Sequence, residues 1–269
     1  MGTILLMGAG LQTTITGPTY DPDAQLFFNA ESAAGVTLTT TEKNAVNQSV
    51  LDLKANSLWT KMKFWYPIVG NTATAQKLNL INPLDSNPAN RLVFNGGWTH
   101  SSLGALPNGV NAYASTFLIP NTVFGAGYAS IGVYVNQASL LSSNPMGSTN
   151  MAILIGSGFV RGSNKTSTNS TSFSQSPNDG FIVNSRTTST SMFFMNRTGA
   201  FLTSTITAAA TYATTDIVLG ATNSNGTITS YSTGRIALAY CSDFLTQAEA
   251  TILKSIVQTY QTALGRQVI

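Results

Sequence analysis

The stretch after Ile68 most constrains the fold. It is built of short runs in which apolar residues alternate with hydroxyl-bearing ones, each run closed by Gly, Asn or Pro. A period of two sends alternate side chains to opposite faces, which is the pattern of half-buried antiparallel strands. Strands are predicted at 91–94, 130–135, 151–155, 181–184, 191–196, 216–219 and 234–240. Between them, Asn95-Gly96-Gly97, Pro107-Asn108-Gly109, Asn178-Asp179-Gly180 and Asn225-Gly226 offer the left-handed positions that tight turns need. So many short strands predict a β-sandwich or jelly roll, and 269 residues suffice to bury its core without a disulfide or metal. The polar, low-complexity stretch 163–176 reads as a loop or a solvated edge.

Helices frame this region. Asp21 is placed to cap a helix with Pro22 at its first position, and Thr39 and Glu42 have the spacing of a capping box. The second helix carries Val46, Val50, Leu51, Leu53 and Leu58, and Lys61-Met62-Lys63-Phe64-Trp65 reads as its end. A third helix is predicted from the capping box Thr246…Glu249, with Ile252, Leu253, Ile256, Val257 and Tyr260 as its apolar stripe and Gly265 as its stop. The chain therefore divides into an apolar tail (1–19), a helical region (20–67) and a sandwich (68–269) that ends in a helix over 244–265 packed on it. In the tail, Ile4, Leu5, Leu6 and Met7 are expected to be tied down, either as a strand added to the chain's own sheet or as an anchor into a symmetric assembly.

Composition narrows the function. Only 9% of residues are charged against 43% hydrophobic, whereas cytosolic enzymes carry about a quarter charged residues. Such a surface must be solvated by hydroxyls and amides, which suits a component of an assembly. The net charge of +3 is the balance of 13 basic against 10 acidic residues, and the basic ones are spread along the chain, with no stripe for nucleic acid. The single cysteine, Cys241, excludes an internal disulfide and reads as a buried small hydrophobe. No run approaches the roughly 18 apolar residues of a membrane span, and the apolar start lacks the basic flank of a signal peptide.

Catalytic chemistry finds little to stand on. Glycoside hydrolysis needs two carboxylates facing each other across the scissile bond. Here Glu31, Glu42 and Glu249 all fall in predicted helices, and the seven aspartates are scattered. The lone histidine, His100, has no nucleophile elbow beside it and reads as a structural residue in a loop. No acid cluster has calcium-loop spacing, and no phosphate loop or dinucleotide fingerprint occurs, so neither metal nor cofactor is expected. Recognition by exposed aromatics and polar groups remains. Trp98, His100, Tyr113 and Tyr128 are the candidate glycan contacts, weighed against the commoner fate of such residues in core packing.

Several blocks carry a resemblance. Tyr20-Asp21-Pro22-Asp23-Ala24-Gln25-Leu26-Phe27-Phe28, Leu58-Trp59-Thr60-Lys61-Met62-Lys63 and Tyr66-Pro67-Ile68-Val69-Gly70 lie in the first part of the chain. Most specific is Arg91-Leu92-Val93-Phe94-Asn95-Gly96-Gly97-Trp98-Thr99-His100-Ser101-Ser102, followed by Gly104-Ala105-Leu106-Pro107-Asn108-Gly109 and Asn111-Ala112-Tyr113-Ala114. With Leu245-Thr246 and the closing Tyr260-Gln261-Thr262-Ala263-Leu264-Gly265-Arg266-Gln267-Val268, the chain resembles a family of virion-associated proteins from tailed phages of Bacteroidetes hosts. The resemblance implies a concanavalin-like or laminin-G-like jelly roll on a particle, and it brings no catalytic residue. The expectation is a non-enzymatic, homo-oligomeric virion protein, a trimer being one form. It would be made in the bacterial cytoplasm and exposed as a head fibre, capsid decoration, spike or tail fibre. Its partners would be itself, other virion proteins and a host-surface glycan. The alternatives are a dedicated glycan receptor-binding protein and, behind it, a polysaccharide depolymerase.

Overall fold

Residues 19–87, 91–139, 142–166, 172–207 and 211–268 are described by the computed structural model of the chain. The anchor residues Ile4, Leu5, Leu6 and Met7 lie outside this set.

Among the described residues the strands form two sheets. The first has the order β13 (Phe201–Thr205), β12 (Ser191–Met195), β11 (Gly180–Arg186), β6 (Ala129–Gln137), β17 (Arg235–Asp243), β4 (Gly104–Pro107), β3 (Trp98–Ser101), with β1 (Met62–Tyr66) also paired to β17. The second runs β10 (Phe173–Ser174), β9 (Phe159–Asn164), β8 (Met151–Gly156), β7 (Ser143–Ser148), β14 (Val218–Leu219), β5 (Tyr113–Ser115), β2 (Val93–Asn95). The hairpin β15 (Thr222–Ser224) and β16 (Thr227–Thr229) joins β7 through Asn223 and Ser148. The described residues also form four α-helices, α1 (Pro22–Ala33), α2 (Thr40–Ala55), the short α3 (Pro120–Phe124) and α4 (Gln247–Ala263), and a 3-10 turn over Trp59–Lys61. This is the expected mainly β sandwich of jelly-roll type.

Each face of the first sheet has its own core. Ile131, Val133 and Val135 of β6, with Ile182, Phe194, Ile236 and Cys241, point between the sheets onto Met146, Met151, Ile153 and Ile155 of the second. The alternate residues Tyr134, Phe181, Val183, Phe193 and Tyr240 point the other way, beneath α1, α2 and α4. The described residues thus form three layers: helices, a sheet buried on both faces, and a second sheet packed against it. This corrects the expectation of half-buried strands for this sheet: β6, β11, β12 and β17 carry apolar residues on both faces because both faces are covered. Close packing also dictates Gly132, where a Cβ would stand 2.2 Å from Cε1 of Tyr240. Cys241 is fully buried.

The helix starts follow their local signals. The Asp21 carboxylate accepts from the Asp23 amide, and both capping boxes close, with the Glu42 and Glu249 amides donating to Thr39 and Thr246 at 3.2 Å. Each long helix ends in a Schellman-type turn. At α1 and α4 the left-handed residue is a glycine, Gly35 and Gly265. At α2 it is Ser57, with the Leu58 amide donating to the Leu53 carbonyl at 2.8 Å and both leucines fully buried. No glycine marks this stop, which corrects the reading of 61–65 as a helix end. The chain turns at Ser57, and Met62–Tyr66 becomes a strand in which Trp65 pairs with Tyr240 and Tyr66 with Ala239. Phe64 and Tyr66 then face the inter-sheet core and Trp65 the helices.

Other expectations shift in detail. The terminal helix spans Gln247–Ala263, and Ile252 of its supposed stripe is 38% exposed, as Leu51 of α2 is at 42%. In 163–176, Ser163, Asn164, Lys165 and Thr166 are buried, and Phe173–Ser174 is an edge strand. Among the described residues, no helix is long and apolar enough to cross a membrane.

Buried cations fasten the layers. The Arg266 guanidinium, just beyond α4, donates to the carbonyls of Pro67, Ile68 and Ala237 at 3.0, 2.7 and 2.7 Å and to Oε1 of Gln261 at 2.6 Å. It ties the last helix to β17 and to the exit of β1 without a carboxylate. Arg186, equally buried, donates to the carbonyls of Asn164, Lys165, Thr188 and Ser189.

Candidate functional site

The sequence-predicted contacts do not form one group. Trp98 and His100 lie on β3 with their rings stacked at 6.3 Å, and the Phe94 ring meets each edge-on, at 5.2 and 4.7 Å. The indole N–H donates to the carbonyls of Asn95 and Tyr113, and Gly220 closes over the far side of the indole. His100 sits on a strand, where a loop had been expected. Its Nδ1 meets Oε1 of Gln76 at 2.7 Å, while Nε2 of Gln76 donates to the carbonyls of Gly70 and Ser101. The amide orientation makes Oε1 the acceptor, so Nδ1 carries the proton. Burial lowers the imidazole pKa, and its partner is an amide, so no carboxylate orients it as a base. Tyr128 precedes β6 at the end away from this cluster, with the Arg186 guanidinium 5.5 Å from its ring centre. Tyr113 shares the outward face of β5 with Ser115, because Ala114 between them faces the inter-sheet core.

Ser115 leads to a hollow of about 410 Å³ at one end of the sandwich, lined by Ser115, Phe117, Ile119, Thr215, Asp216 and Asn223. Its walls come from chain segments about a hundred residues apart. The pairing of Ser115 with Val218 and of Ala114 with Leu219 sets β5 beside β14, so the exit of one strand meets the entry of the other. Thr116 secures the junction, its hydroxyl donating to the Ile217 carbonyl at 2.7 Å. The third wall is the β15–β16 hairpin, turned by Asn225 and Gly226, both at positive φ as the sequence suggested.

Phe117 is the strained residue of the site. Its φ of 57° places an aromatic residue in the left-handed region, at a cost on the order of 1–3 kcal/mol. Asp216 holds it there: Oδ2 accepts the Phe117 amide at 3.3 Å, and Oδ1 accepts Nδ2 of Asn223 at 2.7 Å. Oδ1 of Asn223 accepts in turn from the Gly226 amide at 2.9 Å, so the hairpin fixes the amide and the amide fixes the carboxylate. The result is a hollow lined by the apolar Phe117 and Ile119 together with a carboxylate that accepts two hydrogen bonds and has lone pairs to spare. Mostly apolar concavities with a few fixed polar groups are the usual form of small-ligand sites.

Most other acids of the sandwich are engaged by cations. Asp85 lies 2.7 Å from Lys77 and 2.8 Å from Arg91, Asp243 lies 2.8 Å from Lys63, and Asp179 pairs with Arg197. Among the described residues, Asp216 is the single acid lining the hollow. Among the described residues, no group of three or more His, Cys, Asp or Glu side chains could hold a metal ion. Sequence reasoning missed Asp216 and Phe117 because neither sits in a motif and only the long-range strand pairing joins them.

No protein-family model matches the chain, and no curated protein does. Solved structures do. One is a botulinum neurotoxin type C structure whose subject is cell entry through interaction with two ganglioside molecules; it shares 12% identity at a TM-score of 0.53, over 76% of this chain and 53% of that one. Another is the binding domain of botulinum neurotoxin DC in complex with rat synaptotagmin II, at 13% identity and a TM-score of 0.51, over 74% and 52%. The chain spans about half the length of these structures. At such identity the likeness is one of fold.

Proposed function

We propose that this chain is a non-enzymatic adhesion module displayed on a phage particle, where its jelly roll holds carbohydrate on the host surface without cleaving it. The observation that carries this reading is the hollow of Phe117, Ile119, Asp216 and Asn223, in which apolar side chains and one hydrogen-bonded carboxylate line the same space. A site so furnished can grip a sugar by one face and its hydroxyls, while a glycosidase requires a second acid across the bond. Support comes from the fold neighbours, one a neurotoxin whose cell entry depends on two ganglioside molecules and one a binding domain in complex with synaptotagmin II. The charge-poor surface and the resemblance to virion-associated proteins of phages of Bacteroidetes hosts motivate the address on the particle. There the chain is a homo-oligomer attached through its N-terminal region to other virion proteins.

Two measurements test the reading. Gold-labelled antibody against the chain should decorate intact particles, and labelling confined to lysate debris would remove the virion role. Purified chain should sediment with host cells and lose that association once their surface polysaccharide is stripped. Unchanged binding to stripped cells would move the receptor to a protein.

A further inference from the structure

The polar groups of the hollow are unevenly supplied. Asn223 has given one Nδ2 hydrogen to Asp216 and accepts from Gly226 at Oδ1, and the Thr215 hydroxyl donates to the Asn223 carbonyl at 3.5 Å, which leaves the unfilled lone pairs of the Asp216 carboxylate and the Ser115 hydroxyl to meet a ligand. Among the described residues, no lysine, arginine or histidine lines the site. A carboxylate has about four lone-pair positions, and two are filled, by the Phe117 and Asn223 N–H groups. Two remain, on adjacent oxygens, which is what a pair of neighbouring hydroxyls would satisfy. The Phe117 ring and Ile119 offer the apolar complement to the C–H face of the same sugar ring.

Charge then selects among sugars. A ligand carrying a carboxylate or sulfate would bring like charge against Asp216 with no lining cation to offset it, in a site partly shielded from water. Resting on the adhesion reading above, we propose that the Phe117–Asp216–Asn223 hollow is a subsite for an uncharged hexose, gripped through two adjacent hydroxyls, and that it rejects sialylated, sulfated and uronic-acid glycans.

The test is an array of neutral oligosaccharides and their sialylated, sulfated and uronic-acid counterparts, probed with the full chain and two variants. Neutral glycans should bind at least tenfold more tightly than their acidic counterparts. Asp216→Asn keeps the shape of the side chain and removes its charge, and should weaken neutral-sugar binding at least tenfold. Phe117→Gly deletes the apolar wall at a position whose φ glycine adopts freely, so the protein should melt within a few degrees of the wild type yet lose the sugar. Acidic glycans bound as tightly as neutral ones would overturn the inference. So would neutral binding untouched by both variants, although cell adhesion would still stand. A chain that adheres to cells but takes no arrayed sugar defeats the inference alone, and one that does neither defeats the adhesion reading as well.

Discussion

Replacing Glu31 by glutamine should stabilise the protein at neutral and alkaline pH and change it little at pH 4.5. Glu31 lies on the buried side of α1 at 1% exposure, and among the described residues neither carboxyl oxygen has a hydrogen-bond partner. Burial pushes its pKa from an ordinary 4.5 up to about 8, with Glu42 and Asp85 adding to the rise and Lys77 opposing it. The folded chain therefore keeps a proton that the unfolded chain loses. Stability is complete at and below the unfolded pKa, and falls as pH climbs from 4.5 toward about 8. At about 1.4 kcal/mol per pH unit the loss is roughly 3 kcal/mol by pH 7 and roughly 5 kcal/mol once the group ionises in both states. Glutamine has nearly the same shape and does not titrate, so Glu31→Gln escapes this loss. Urea unfolding followed by tryptophan fluorescence, at half-unit steps from pH 4.5 to 9, gives the difference between the two proteins, in which their shared titrations cancel. The curves should separate steadily with rising pH. Parallel curves across that window would refute the argument, because they would mean that the carboxyl finds water or a cation when it ionises.

Other predictions follow the same packing logic. Arg266→Met strips donors from the carbonyls of Pro67, Ile68 and Ala237, and should cost about 3–5 kcal/mol in urea unfolding; a loss under about 1 kcal/mol would show that the clamp is dispensable. Gly132→Ala drives a Cβ against the Tyr240 ring and the Ile182 carbonyl, and should destabilise by about 1–3 kcal/mol. An unchanged melting temperature would contradict that packing. Thr246→Ala removes the side-chain half of a capping box and should cost about 1 kcal/mol, measured by thermal melting against the wild type.

The legible parts of the fold were those with local causes. Asp21-Pro22, Thr39…Glu42 and Thr246…Glu249 announced three helix starts because a cap acts over three residues, and Gly265 announced a stop because only a left-handed residue closes that turn cheaply. The same turn at Ser57 gave no sign, so β1 passed as a helix end. β7 escaped notice because Ser143-Asn144-Pro145-Met146-Gly147-Ser148 neither alternates nor avoids proline. Its place in the sheet comes from a bulge between Ser143 and Met146 and from the neighbours on either side. Glu31 looked like any helix acid, since nothing in the sequence says which face of α1 meets the core. The hollow was hardest to see. Phe117 and Asp216 meet through a register set by β5 and β14, and the aromatic and acid counts that pointed to recognition did not place it. Of the four residues singled out beforehand, Tyr113 comes nearest, beside Ser115 on β5.

One measurement bears most directly on holding without cutting. Purified chain is mixed with host capsular polysaccharide, and both the fraction retained by immobilised protein and the length distribution of the polymer are followed over hours. The account predicts retention of full-length polysaccharide with no change in its size. Release of short oligosaccharides would contradict it, and would mean that a second acid reaches the bond beside Asp216.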